Sequence, residues 1–204
     1  MTNYYHQYDL PKDVQFEGDL AVDTEAMGLQ TYRDRLCVVQ ISDGKGDAHL
    51  VHFPEPKFDA PNLKALLNDE TRVKLFHYAR FDLAIVQHYL GLMMQPVYCT
   101  KIASRLCRTF TDRHSFKELC RELIQQDISK QQQSSDWGAA TLTDDQIAYA
   151  ASDVLYLHQL REELNRRLVR EGRMELAADL FACLPARVKA DLAGWAEIDI
   201  FAHT

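Results

Sequence analysis

A chain of 204 residues with 47% hydrophobic and 26% charged side chains has the length and composition of one ordinary globular domain. No stretch approaches the roughly 20 consecutive apolar residues of a membrane span, and the opening MTNYYHQYDLPKD has neither a basic nor an apolar leader region, so a cytoplasmic, membrane-independent protein is expected. A net charge of −7 argues against a general polyanion-binding surface and leaves room only for local nucleic-acid contacts. Five scattered cysteines (Cys37, Cys99, Cys107, Cys120 and Cys183) show no zinc spacing and read as reduced, mostly buried thiols.

In chain order, the β-branched and apolar runs Asp19 to Ala26 and Leu36 to Asp43 read as strands. Gly44 and Gly46 mark a hairpin turn, and Asp47 to Phe53 continues as a third strand of an antiparallel meander. After a proline-punctuated loop come a short helix near Asn62 to Leu67, a strand from Val73 to His77 and a helix near Arg80 to Leu90. A brief strand around Pro96 to Thr100 leads into helices over Lys101 to Phe110 and Ser115 to Leu123, and the polar run Ser129 to Asp136 reads as a loop. The capping box Thr143-x-x-Gln146 opens one long helix to about Arg170, ended by Gly172; a final pair of short helices and an apolar end follow. The pattern predicts a single α/β domain over 1–204, a mixed five-stranded sheet with helices on both faces, carrying a C-terminal helical and apolar tail from position 171 onward.

The chemistry lies in the acids. Strand alternation points Asp23 and Glu25 to one face, and helical spacing stacks Tyr149 and Asp153. Asp82 opens the helix after a strand, at a junction where α/β sites form. Four carboxylates from separate elements suit a pair of hard divalent cations, and a tyrosine hydroxyl one turn before a ligand is placed to aim a water. Spacing alone does not distinguish this from solvated acids.

The contexts do more. AVDTEAMGLQTYRDRLCVVQIS, LFHYARFDLAIV and YAASDVLYL resemble, in order and surroundings, the three exonuclease motifs of the ribonuclease D group in the tyrosine-containing branch of the DEDD superfamily. That resemblance implies a ribonuclease H-like fold and a metal-dependent 3′-5′ exoribonuclease releasing 5′-mononucleotides. It implies metal ligation by Asp23, Glu25, Asp82 and Asp153 with two Mg²⁺ or Mn²⁺ ions, and water positioning by Tyr149. The segments KIASRLCRTFTDRHSFKELC, SKQQQSSDW and GWAEIDIFAHT are similar to those of the compact nano-RNase C type of diribonucleotidase. This implies a preference for dinucleotides, linear di-GMP included, and a homo-octameric ring. The chain has no room for the helical domains that follow the catalytic domain in ribonuclease D, which favours very short RNA over tRNA processing. A broader exonuclease acting on long RNA or DNA is the alternative, and a non-catalytic nucleotide-binding module is the alternative of another class.

Leu29 matches the position where related enzymes wedge an apolar side chain between bases, the other reading being core packing. Gly28 allows close backbone approach or makes a turn. His77 opens the second motif as a structural hydrogen bonder or a substrate contact, beside a Tyr78 that replaces the more usual small residue or Asn. Arg80 either contacts phosphate or pairs with a surface acid. Arg105, Arg108, Arg113, His114 and Lys117 are the basic set expected to meet a substrate phosphate, with a solvated helix face as the bland reading. Trp137 packs its loop or stacks on a base. The tail residues Trp195, Ile198, Ile200 and Phe201 are too apolar to stay in water and are expected to dock, preferably on another subunit, where His203 would approach a neighbouring site.

Overall fold

In the computed structural model, which describes residues 2–129 and 131–203, one sheet of six strands runs in the order β1-β4-β3-β2-β5-β6. The strands are β1 Asn3–Gln7, β2 Leu20–Ala26, β3 Leu36–Ser42, β4 Ala48–His52, β5 Lys74–Phe76 and β6 Val97–Cys99. β2, β3 and β4 form the expected antiparallel meander, while β5 and β6 extend it in parallel from the other side of β2. The expected loop at Lys130 and the tail's end at Thr204 lie outside the described residues.

The expectation of five strands is corrected to six. β1 runs parallel to β4 at the sheet edge. Its side chains are exposed or half-buried, so it lacks the apolar alternation that announces a strand. Contacts remote in sequence hold it: the Tyr4 ring stacks on His49 at 4.6 Å, and the Tyr5 hydroxyl meets His52 Nδ1 at 2.5 Å.

The helices are α1 Pro61–Leu67, α2 Ala79–Leu90, α3 Thr100–Cys107, α4 Phe116–Ile124, α5 Asp144–Leu155, α6 Leu157–Arg170 and α7 Met174–Ala190. The one long helix expected from Thr143 to Arg170 is two, broken at Tyr156. The Ser152 hydroxyl donates to the Tyr149 carbonyl at 2.6 Å, a back-bond of the kind that bends helices. The break lets α5 pack on β2, β3 and β4 while α6 packs on α3 and α4. The expected pair of short C-terminal helices is instead the 17-residue α7, which runs through Pro185 and passes into a π-helical segment, Asp191–Trp195.

Burial explains why β2 is the frame of the site. Leu20, Ala21 and Val22 are wholly buried, as are all seven residues of β3, so the register of β2 is fixed by the core. Every residue thereafter on one face of β2 is committed to one direction.

Candidate active site

Asp23 and Glu25 leave β2 on one face, and Asp153 arrives from α5. Single ligand atoms of the three lie within 4.8 Å of one another. Asp82, in the first turn of α2, is almost fully buried, and Thr24 Oγ1 donates to its Oδ1 at 2.7 Å. The carboxyls of Glu25, Asp82 and Asp153 are pushed well above the ordinary range, first by burial and then by the charge of Asp23, to which Asp153 and Asp82 add at Glu25. Burial likewise raises Asp23 to about 7, opposed only by a backbone hydrogen bond from Thr24. Such a cluster is costly without a cation. Its donors are all carboxylate oxygens, which fit hard divalent ions.

Tyr149 stands one turn before Asp153 and lines the same cleft. Burial first, then Asp153, Glu25 and Asp23, pushes its hydroxyl upward, so it remains protonated as a hydrogen-bonding group. The cleft has a volume of about 670 Å³ and reaches from the carboxylates to Leu29, Tyr78, Lys101 and Lys117.

The other expected contacts divide. Leu29 lines the cleft at 84% exposure, which removes core packing as its role. Gly28 is a close-approach glycine: a Cβ there would lie 2.2 Å from Asp34 Oδ2, the same atom that accepts from the Gln30 amide at 3.0 Å. His77 lines the cleft with Nδ1 2.9 Å from Thr100 Oγ1, and burial lowers it to about 3, so the ring is neutral. Trp137 is 2% exposed and packs its loop with its ring 6.0 Å from that of Tyr149.

Of the basic set, Lys117 reaches the cleft; Arg105, Arg108, Arg113 and His114 do not line it. Arg108 is corrected outright: it is 1% exposed, ion-paired with Glu122 and donates to the Arg113 carbonyl at 2.8 Å, so it is a buried strut of the α3–α4 connection. Its lack of periodic apolar neighbours hid that burial. Arg113 lies 3.8 Å from Glu118, and His114 Nδ1 is 2.8 Å from Ser104 Oγ. Arg105 borders a separate apolar groove. Arg80 takes the ion-pair alternative, though with a largely buried acid, Asp191.

Lys101 and Tyr78 also line the cleft. Lys101 Nζ sits 4.4 Å above the Tyr78 ring, and Tyr78 holds a left-handed backbone conformation (φ 72°) at the start of α2. Asn tolerates that conformation better, which accounts for the unusual look of this position in the motif. Gln40 carries no signal in the sequence beyond its place in a strand. It pairs with Asp23 in register and is fully buried, with neither amide atom partnered among the described residues.

A 3′-5′ exonuclease family profile matches residues 6–169. Ribonuclease D of Gluconacetobacter diazotrophicus is 36% identical over 174 residues, covering 84% of this chain and 44% of that protein. The chain thus spans less than half the length of such curated relatives. Among solved structures, Brucella melitensis NrnC bound to pGG is 53% identical with a TM-score of 0.96, and NrnC with bound Mg²⁺ is 52% identical with a TM-score of 0.95; each covers 100% of both chains. Escherichia coli RNase D is 27% identical with a TM-score of 0.74, covering 88% of this chain and 48% of that one. With the carboxylate cleft inside the matched span, the chain belongs to the 3′-5′ exonuclease family.

Proposed function

We propose that the cleft hydrolyses the 3′-terminal phosphodiester bond of very short RNA, dinucleotides such as linear di-GMP above all, releasing 5′-mononucleotides. The observation that carries the chemistry is the convergence of Asp23, Glu25 and Asp153 within 4.8 Å, with Tyr149 lining the same cleft and Asp82 buried behind it, outside the cleft lining but within reach of the Asp23 charge. The likeness to NrnC bound to pGG over the full chain supports the substrate.

Asp23, Glu25, Asp82 and Asp153 would hold the divalent ions, Mg²⁺ or Mn²⁺. Bound there, such ions lower the pKa of a water and stabilise the charge on the leaving 3′ oxygen. The chain's own groups do the rest. Protonated Tyr149 orients the water, and Thr24 fixes which oxygen of Asp82 faces its neighbours. Exposed Leu29 inserts between bases, while Lys101 and Lys117, lining the same cleft, meet phosphate. Neutral His77 contributes a hydrogen bond and no charge.

The test is a time course on labelled two-mer, five-mer and twenty-mer RNA with Mn²⁺. Turnover fastest on the two-mer supports the reading. Equal rates at every length reject dinucleotide preference in favour of the broader exonuclease that the ribonuclease D relatives represent.

Assembly belongs to the same reading. Trp195, Ile198 and Ile200 are about half exposed and Phe201 is 82% exposed, an apolar surface suited to burial between subunits of a homo-octamer. Light scattering that finds a monomer at micromolar concentration contradicts it. The described residues contain no helix long and apolar enough to cross a membrane, and all five cysteines are free, which fits a reducing cytoplasm.

A further inference from the structure

The first turn of α2 carries Asp82 but is poorly fixed by its own sequence. Its N-cap residue, Tyr78, is in the left-handed region and offers no side-chain cap to the helix amides. Arg80 supplies the missing anchor from outside. Its Nε and Nη2 donate to Asp191 Oδ2 and Oδ1 at 2.5 and 2.9 Å, a two-pronged pair, and Nη2 also donates to the Ala196 carbonyl at 2.6 Å.

The same carboxylate is gripped from α7. Arg187 Nε lies 2.9 Å from Asp191 Oδ1, and its remaining donors reach the carbonyls of Trp195, Ala196 and Ile198 at 2.9, 3.1 and 2.9 Å. Asp191 is only 9% exposed between the two guanidiniums, at the start of the π-helical segment. Arg80 does not line the cleft, and its donors are engaged away from it. Any effect of Arg80 on the site must therefore pass through the backbone of α2.

We propose that Arg80 is a positioning residue for Asp82, locking the first turn of α2 to the C-terminal segment through Asp191. Asp82 is then held from two directions: Thr24 steers its carboxyl from the sheet, and the Arg80–Asp191 pair sets where its helix turn lies. The inference rests on the proposed carboxylate site, and extends it to residues more than a hundred positions later in the chain.

The test compares wild type, Arg80→Gln, Asp191→Asn and the double variant in the full chain. Three quantities are read: Mn²⁺ affinity by calorimetry, kcat and KM on a dinucleotide, and melting temperature without metal. The expected result is a loss of about tenfold in both Mn²⁺ affinity and kcat for each single variant, the lower end for outer partners of metal ligands. KM should stay within about twofold, and the double variant should lose less than the product of the two single losses, since both remove the shared Arg80–Asp191 pair. Arg80→Lys, which keeps the charge but loses the two-pronged grip, should fall in between.

Mn²⁺ affinity and kcat within about twofold of wild type in Arg80→Gln would overturn the proposal, as would a change confined to KM. Losses in the double variant that multiply those of the singles would also overturn it. A wild-type protein that binds Mn²⁺ but hydrolyses no dinucleotide would sink the functional reading instead, while the calorimetric comparison would still judge the role of Arg80.

Discussion

The carboxylate cleft and the groove beneath the C-terminal tail are both hollows, but they are built on opposite principles. The cleft gathers like charges on elements whose positions the core dictates, and raises Asp23, Glu25, Asp82 and Asp153 against their own solvation. The tail groove, of about 390 Å³ between α3 and α7, is lined by Ile102, Leu106, Leu180 and Leu184 and roofed in part by Ile200 and Phe201. One hollow stores unfavourable charge that a cation relieves; the other exposes apolar surface that burial relieves. A charge-gathering hollow works only if it is rigid before a ligand arrives, whereas an apolar hollow is completed by what covers it.

The largest way to break this contrast is to delete a carboxylate. Asp23→Ala should reduce dinucleotide turnover by more than the ~100-fold typical of losing an outer metal partner. Turnover within tenfold of wild type would remove Asp23 from the site. Tyr149→Phe comes next, with kcat falling about 10²–10⁴-fold and Mn²⁺ affinity unchanged, as for a lost proton-handling group. Should Mn²⁺ affinity collapse along with kcat, the tyrosine would be a structural support of the cluster. Thr24→Val keeps the shape of the strand but removes the donor to Asp82, and should cost roughly tenfold in kcat.

A smaller effect sharpens the electrostatics through pH. Asp23 has an ordinary value near 3.8 and is raised to about 7, so between those values the metal-free folded state keeps a proton that the unfolded chain has released. Stability therefore falls as pH rises through that window. His77 runs the other way. Lowered from 6.5 to about 3, it stays neutral while the unfolded chain gains a proton, so stability falls as pH drops below 6.5. Saturating Mn²⁺ removes only the first effect, and the rise in melting temperature on adding Mn²⁺ should be larger at pH 8 than at pH 5. A metal-induced rise independent of pH would show that burial does not hold a proton on Asp23 in the metal-free cleft.

Much of this was legible in the sequence, for reasons that differ by element. Asp23, Glu25, Tyr149 and Asp153 obey the periodicities of a strand and a helix, and the burial of β3 locks their register. β1 was not legible, because an edge strand with exposed side chains owes its existence to β4, which follows it by some forty residues. The break at Tyr156 was hidden by apolar spacing that continues through it, since the bend follows from Ser152 and from two different packing partners. Arg108 read as a surface cation because charge is visible in sequence and burial with Glu122 is not. Tyr78 carried a signal after all: its departure from Asn at a left-handed position was visible, although the conformation that makes it matter was not.

One variant measured in two ways separates a charge-strained metal cleft from an ordinary acidic hollow. Asp153→Asn removes a carboxyl that burial and the Asp23 charge disfavour, without changing volume, so the metal-free protein should melt higher at neutral pH, by roughly 2–4 °C for each kcal/mol relieved, while dinucleotide turnover in Mn²⁺ is lost. A variant that melts no higher than wild type and still turns over dinucleotide would contradict the claim that the cleft is a charge-strained site awaiting divalent ions.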